Sequence, residues 1–282
     1  MVMFNIKSRV KQLFAIRKKI EPVYIPVFHN DLLKGRKALV TGGTGGIGFA
    51  IARAFLDAGA SVVITGRDEL RINKAVNELN GKGYLGVCKG IVLDNRQVKR
   101  FDAKVNECNS LIGDIDVLVN NAGGFGGGNF GQTKEDDWDR IISTNVKGAY
   151  FLSQCLSEIW KAKKTRANIL NVCSSSSLRP GQNPYIISKW GLRSMTLGLA
   201  KSLVKYNIVV NGIAPGPTDT DLMKGITNDS GLGWRSNPAG RLVTRQEVAN
   251  LAVILVSDLS RMIVGDIVYV SGGAGVVTFD DV

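Results

Sequence analysis

Histidine is almost absent from this 282-residue chain, His29 being the only one. A Cys/His zinc site needs several such ligands and a Ser-His-Asp hydrolase needs one in its core, so both classes are disfavoured and no metal is expected. Cysteine is sparse as well. Cys88, Cys108, Cys155 and Cys173 are scattered, with no CxxC pair. That usage suits a reducing compartment, hence a cytoplasmic protein, better than a disulfide framework. The first 30 residues lack a continuous apolar run long enough for a signal segment or a membrane-crossing helix. Internal repeats are missing too. What is plentiful is aliphatic residue and glycine. Hydrophobic residues make up 44% of the chain, enough to build a sizeable core and far from a disordered composition.

The formal charge of +12 raises the question of a nucleic-acid partner. Its distribution answers against one. Residues 1–37 hold nine Lys/Arg against Glu21 and Asp31, a net of +7, which leaves +5 for the other 245 residues. The basicity belongs mostly to an N-terminal arm, and no nucleic-acid module accompanies it. Within the arm Met3, Ile6, Val10, Leu13 and Phe14 recur at helical spacing, with Arg17 inside the apolar stripe. "EPVYIPV" then reads as extended, since each proline disfavours helix at the residue before it. Two readings stand for the arm: a helix lying peripherally on a membrane surface, or a segment packed on its own domain or on a second subunit.

From residue 36 the pattern changes. "RKALVTGGTGGIGFAIARAFLDAG" reads as strand, glycine turn and helix. "SVVITGR", "IDVLVNNAG", "ANILNVCSS", "NIVVNGIAPG" and "GDIVYVSGG" are further β-branched runs with helical stretches between them. Alternation of this kind predicts an α/β fold, a Rossmann-type doubly wound parallel sheet, as a single domain over 35–282 behind an arm over 1–34. Ligands of such sheets sit at the carboxyl ends of the strands, where the glycine, serine and asparagine punctuation falls. Gly42, Gly46 and Gly48 stand where backbone N–H groups and a helix N-terminus can accept a pyrophosphate. Tyr185 and Lys189, four apart in "YIISKWG", share a helix face.

These motifs taken together resemble the short-chain dehydrogenase/reductase family, in its single-domain, 3-oxoacyl-reductase-like form. The matching stretches are "TGGTGGIG" at 41–48, NNAG at 120–123, Asn145 in "IISTNVKGAYF", YIISK at 185–189, "PGPTDT" at 215–220 and the closing "GDIVYVSGG". The resemblance spans about 35–275 and leaves the arm outside it.

The resemblance implies hydride transfer between a nicotinamide and the carbon of a carbonyl or alcohol, and the residues suit it. Oxygen gains negative charge as hydride arrives, so it needs a proton donor and hydrogen bonds. Tyr185 is the expected acid/base. An unperturbed tyrosine releases its proton near 10, and an ammonium one turn away favours the phenolate; by resemblance Lys189 also holds the nicotinamide ribose. Ser174 is the expected carbonyl-orienting hydroxyl. Its interval to Tyr185 is about two residues shorter than usual in the family, which keeps Ser175 and Ser176 as alternatives. By resemblance Asn145 completes the set, where it would hold a water that links Lys189 to solvent. The expected cofactor contacts are Thr41, Gly42, Thr44, Gly46, Ile47, Gly48, Arg67, Asn121, Ala122, Gly123, Tyr185, Lys189, Pro215, Gly216 and Thr220.

Cofactor preference turns on the end of the second strand. Gly66 stands where NAD-preferring relatives carry an acid, and Arg67 follows, suited to a 2′-phosphate; NADP(H) is expected, with NAD(H) the alternative if Asp68 is the acid. Two departures from the family pattern are noted. Ile91 and Val92 occupy the usual Asp-Val position after the third strand, with Asp94 displaced or unrelated, and Ser271 replaces an acid before the last glycines. The substrate is a small carbonyl or alcohol compound. Trp234, Leu222 and Met223 are expected to give it apolar contacts, with Lys224 and Arg235 for an anionic group and the glycine-rich 123–131 segment at the border. By resemblance, the two long helical stretches "DDWDRIISTNVKGAYFLSQCLSEIW" and "YIISKWGLRSMTLGLAKSL" would pair subunits of a homo-oligomer, a tetramer or dimer. The rival reading is a catalytically idle NADP-binding scaffold or sensor.

Overall fold

The computed structural model describes residues 31–84, 86–220, 232–234 and 237–277. The readings placed on residues 1–30, and on Leu222, Met223, Lys224 and Arg235, lie outside them. Seven strands alternate with helices: β1 (Lys37–Val40), α1 (Gly46–Asp57), β2 (Ser61–Gly66), α2 (Glu69–Asn80), β3 (Cys88–Val92), α3 (Phe101–Ile112), β4 (Val117–Asn120), α4 (Glu135–Ile142), α5 (Gly148–Lys163), β5 (Ala167–Val172), α6 (Pro184–Leu203), β6 (Ile208–Pro215), α7 (Arg245–Val256) and β7 (Ile267–Val270). The strands form one sheet in the order β3-β2-β1-β4-β5-β6-β7, and every pair is parallel. The doubly wound expectation holds.

A parallel sheet covered by helices on both faces requires strands that are apolar on both faces. β4, β5 and β6 are buried at every position. Alternate residues feed two cores. Ala38, Val40, Val62 and Ile64 pack with Ile51 and Phe55 of α1 and with Val253 of α7 on one face. Leu39, Val63 and Leu118 pack with Val105 of α3 and with Leu152 and Trp160 of α5 on the other. Trp160 buries its indole without an orphan donor, because Nε1 donates to the Ile115 carbonyl at 2.7 Å.

Chain order reverses between β1 and β4, the place where an open α/β sheet leaves a crevice at its carboxyl ends. The opposite end is closed by Arg36, whose guanidinium donates to Asp116 and to Asn168 Oδ1, both at 2.8 Å. All four cysteines are free, and burial pushes the Cys88, Cys108 and Cys155 thiols up to about 12. No helix among the described residues is long and apolar enough to cross a membrane.

Candidate active site

The turn after β1 is shaped by what a side chain would strike. Gly42 has φ +65° and Gly46 φ +56°, backbone that favours glycine. Gly48 is needed for space, since a Cβ there would stand 2.4 Å from both Asn121 Nδ2 and the Gly42 carbonyl. The turn is therefore held against the end of β4. Thr41 Oγ1 donates to the Val119 carbonyl at 3.1 Å and accepts from the Asn121 and Ala122 amides, each at 3.0 Å. Asn121 Nδ2 returns two bonds, to the Thr41 and Gly42 carbonyls. This cradle, with glycines where a side chain would fill it, suits the pyrophosphate of a dinucleotide.

Two cavities open from the strand ends and share Asn121, Gly123 and Gly124. The smaller, about 280 Å³, is lined by Tyr185, Lys189, Phe125, the serines 174–176, Arg179, Ile47 and the Pro215–Thr218 turn, with Thr220 at its edge. Asn183 caps α6 by accepting from the Ile186 amide at 2.9 Å, with Pro184 in the first turn. That start places Tyr185 and Lys189 on the cavity side. Lys189 is 6% exposed. Its Nζ donates to the Val172 carbonyl at 2.9 Å and stands 5.7 Å from the Tyr185 ring centroid. Phe125 meets the Tyr185 ring edge-on at 4.9 Å. Ser174 caps a short 3₁₀ turn, its Oγ accepting from the Ser176 amide at 3.1 Å.

Asn145 does not line either cavity. It sits in a single π turn, residues 143–147, inserted between α4 and α5, an irregularity that frequently marks functional positions. Its amide is fully engaged. Oδ1 accepts from the Gly124 amide at 2.6 Å, while Nδ2 donates to the Gly124 carbonyl at 3.0 Å and to Ser188 Oγ at 2.9 Å. Ser188 Oγ in turn donates to the Tyr185 carbonyl at 2.6 Å. Asn145 thus joins the segment after β4 to the first turn of α6.

The larger cavity, about 690 Å³, is lined by Gly42, Thr44, Ala122, Arg67 and Asp68, and by Arg71, Arg96 and Arg140, which the sequence reading did not single out. Gly66 is glycine because Thr44 crowds it, a Cβ there meeting Thr44 Cγ2 at 2.9 Å. Asp68 is engaged as the cap of α2, its Oδ1 accepting from the Leu70 and Arg71 amides. One expectation needs correction. Ile91 is buried in the core with Leu39 and Val63, and Leu93 and Asp94 line the cavity instead. The Leu93 amide bonds the Gly66 carbonyl at 2.8 Å, so the chain stays beside β2 for longer than the Asp-Val placement assumed. Asp94 is gripped by Arg96 through Nε and a terminal nitrogen, bonds that hold its carboxyl below the usual range.

A family model described as Enoyl-(Acyl carrier protein) reductase matches residues 42–275. The 3-oxoacyl-[acyl-carrier-protein] reductase of Chlamydia muridarum is 36% identical over 248 residues, covering 86% of this chain and 99% of the relative. The 5-keto-D-gluconate 5-reductase of Escherichia coli is 33% identical over 251 residues, covering 86% and 98%. The chain belongs to the short-chain dehydrogenase/reductase family. Among solved structures, a gluconate 5-dehydrogenase from Burkholderia cenocepacia, in complex with NADP and tartrate, superposes with a TM-score of 0.80 at 30% identity. It covers 87% of this chain and 98% of its own.

Within this short-chain oxidoreductase, which acts on CH–OH/C=O groups and binds NAD(P), the residues named from sequence divide by role. Ser174, Tyr185, Lys189, Ile47, Pro215, Gly216 and Thr220 face the smaller cavity. Gly42, Thr44, Arg67 and Ala122 face the larger, and Asn121 and Gly123 face both. Thr41, Gly46, Gly48 and Asn145 line neither and hold the frame that the others use. Phe125 falls in the 123–131 segment expected at the border of the pocket, whereas Arg179 was missed, in a segment whose composition gives no periodicity to read.

Proposed function

We propose that the chain is an NADP(H)-preferring carbonyl reductase, running as an alcohol dehydrogenase in reverse, with Tyr185 as the proton donor and acceptor. The observation that carries this reading is the sharing of Asn121, Gly123 and Gly124 between the cavity that holds Tyr185, Lys189 and Ser174 and the arginine-lined one. When bound, the nicotinamide cofactor supplies or accepts the hydride. Tyr185 gives its hydroxyl proton to the carbonyl oxygen, and in the reverse direction its phenolate removes that proton. Lys189 lies buried beside the ring, and the serines 174–176 supply hydroxyls to the same oxygen. Asn145 positions the loop and helix that carry these groups.

Preference for NADP(H) is supported by the lining of the larger cavity. Arg67, Arg71 and Arg96 bring positive charge to it, while the carboxylates of Asp68 and Asp94 are already engaged by backbone amides and by Arg96. A 2′-phosphate gains from the arginines at that end. Titrating the protein with NADPH and NADH, followed by nicotinamide fluorescence, tests it with Arg67→Ala in parallel. NADPH is expected to bind more tightly, with most of the preference lost in the variant. Tighter NADH binding, unaffected by the substitution, would move the reading to NAD(H) and Asp68. A homo-oligomer is part of the proposal, since Tyr150 and Phe151 of α5 and Ile187, Trp190 and Leu197 of α6 leave large apolar groups exposed; light scattering of the eluted protein reads its mass.

A further inference from the structure

Two cations line the smaller cavity, Lys189 and Arg179, and no Asp or Glu does so among the described residues. Lys189 is occupied, its Nζ bonded to the Val172 carbonyl beside Tyr185. Arg179 is not. Several arginines of the described fold are ion-paired, as Arg36 is with Asp116, Arg96 with Asp94, Arg140 with Asp137 and Arg241 with Glu247. Arg179 has no carboxylate within ion-pairing distance among the described residues, and it is exposed.

The backbone around it is fixed from both sides. The Arg179 amide bonds the Ser176 carbonyl at 3.1 Å, and its carbonyl accepts from Trp190 Nε1 at 2.7 Å. Trp190 is itself covered by Arg193, whose guanidinium stands 5.2 Å from the ring. The connection between Ser174 and Tyr185 therefore presents Arg179 to the cavity from an anchored backbone. The cofactor's phosphates do not call for it, because the Gly42 cradle and the other arginines lie in the larger cavity.

We propose that Arg179 is a specificity-determining residue that binds a carboxylate of the substrate, so that the substrate class is a compact oxo- or hydroxy-carboxylate. This rests on the carbonyl-reductase reading and narrows it. A guanidinium offers a planar fork that pairs both oxygens of a carboxylate. A cavity of about 280 Å³ is at the small end of ligand sites, fitting a short chain better than a long acyl thioester. Phe125 supplies the apolar wall beside Tyr185, which leaves the charged group of the substrate to Arg179.

The test is calorimetric binding of 4-oxopentanoate and 5-oxohexanoate, each against its methyl ester, with and without NADP⁺. Wild type, Arg179→Ala and Arg179→Lys are compared, and thermal melts check that all three are folded. For wild type the acid of at least one pair is expected to bind about tenfold or more tighter than its ester, the scale of a charge-assisted hydrogen bond. The ratio falls to about one in Arg179→Ala and is partly kept in Arg179→Lys. Equal binding of acid and ester, no binding of either acid, or a ratio that survives Arg179→Ala overturns the proposal. NADPH oxidation with the same pairs separates it from the reductase reading. Acid preference in binding with no turnover sinks the reductase reading alone, and turnover of both forms with no preference sinks the carboxylate proposal alone.

Discussion

Lys189 Nζ donates to the Val172 carbonyl at 2.9 Å while standing 5.7 Å from the centroid of the Tyr185 ring. The bond ties α6 to the last residue of β5 and fixes the ammonium where it acts on the phenol. Replacing it should therefore cost chemistry more than binding. Lys189→Met is expected to lower kcat at least about a hundredfold, and Tyr185→Phe by more, within the range for loss of a positioned acid/base. Tyr185→Phe should keep its affinity for NADPH in the fluorescence titration. Loss of cofactor binding in Tyr185→Phe would show instead that the ring holds the cofactor pocket together.

Asn145 makes a different prediction because it touches neither cavity. Its three bonds join Gly124 to Ser188, so Asn145→Ala takes their partner from the half-buried Gly124 amide and carbonyl. Stability should fall by about 1–3 kcal/mol, and kcat should drop while the KM for NADPH changes little. Urea unfolding and steady-state kinetics on the same preparation read both. A stable variant with normal kcat would make the π turn a packing feature only.

The strand and helix order was legible because buried parallel strands are short β-branched runs and each ends in glycine, serine or asparagine. The Tyr185–Lys189 pair was legible because helical spacing places it without further information. The end of β3 was not. In "GIVLD" Ile91 and Leu93 are both apolar and two apart, and alternation cannot say which one leaves the sheet for the cavity. The deciding contact is a bond between Leu93 and Gly66, which pairs distant parts of the chain. Nor does a helical pattern running from α4 into α5 announce the π turn that Asn145 occupies. Arg67 precedes the cap Asp68 and Arg71 lies in the first turn of α2, so no helical spacing links them, and their meeting at the cavity follows only from where α2 starts.

Two glycines of the β1–α1 turn separate space from conformation. A Cβ on Gly48 would stand 2.4 Å from Asn121 Nδ2 and from the Gly42 carbonyl, whereas one on Gly45 meets nothing within 4 Å. Gly45 is extended, with φ −175°, backbone open to any residue. Gly48→Ala is therefore expected to destabilise the fold by about 1–3 kcal/mol, the cost of overpacking, and to weaken NADPH binding by deforming the cradle. Gly45→Ala should lose no more than about 1 kcal/mol, the cost of a poorer helix cap. Melting temperatures of the pair decide the matter, and equal losses would refute the packing argument.

Glu247 gives a stability prediction with a definite sign. Bonds from Arg241, at 2.6 and 3.0 Å, and then from the Thr244 amide and hydroxyl, outweigh partial burial and bring its carboxyl down to about 2. The folded state therefore binds this proton less readily than the unfolded chain. The stabilisation is complete above the ordinary carboxylate range and is lost as pH falls from about 5 toward 2. Side-chain exposures of 34% and 39% for the pair screen the interaction, so about 1 kcal/mol is expected near neutrality rather than the full linkage value. Glu247→Gln should then be less stable than wild type by that amount at pH 6, with the gap narrowing at pH 3 and closing toward pH 2. Urea titrations at four pH values in that interval measure it. A gap that stays constant would assign the loss to the capping box with Thr244, which a neutral amide also disturbs, and not to charge.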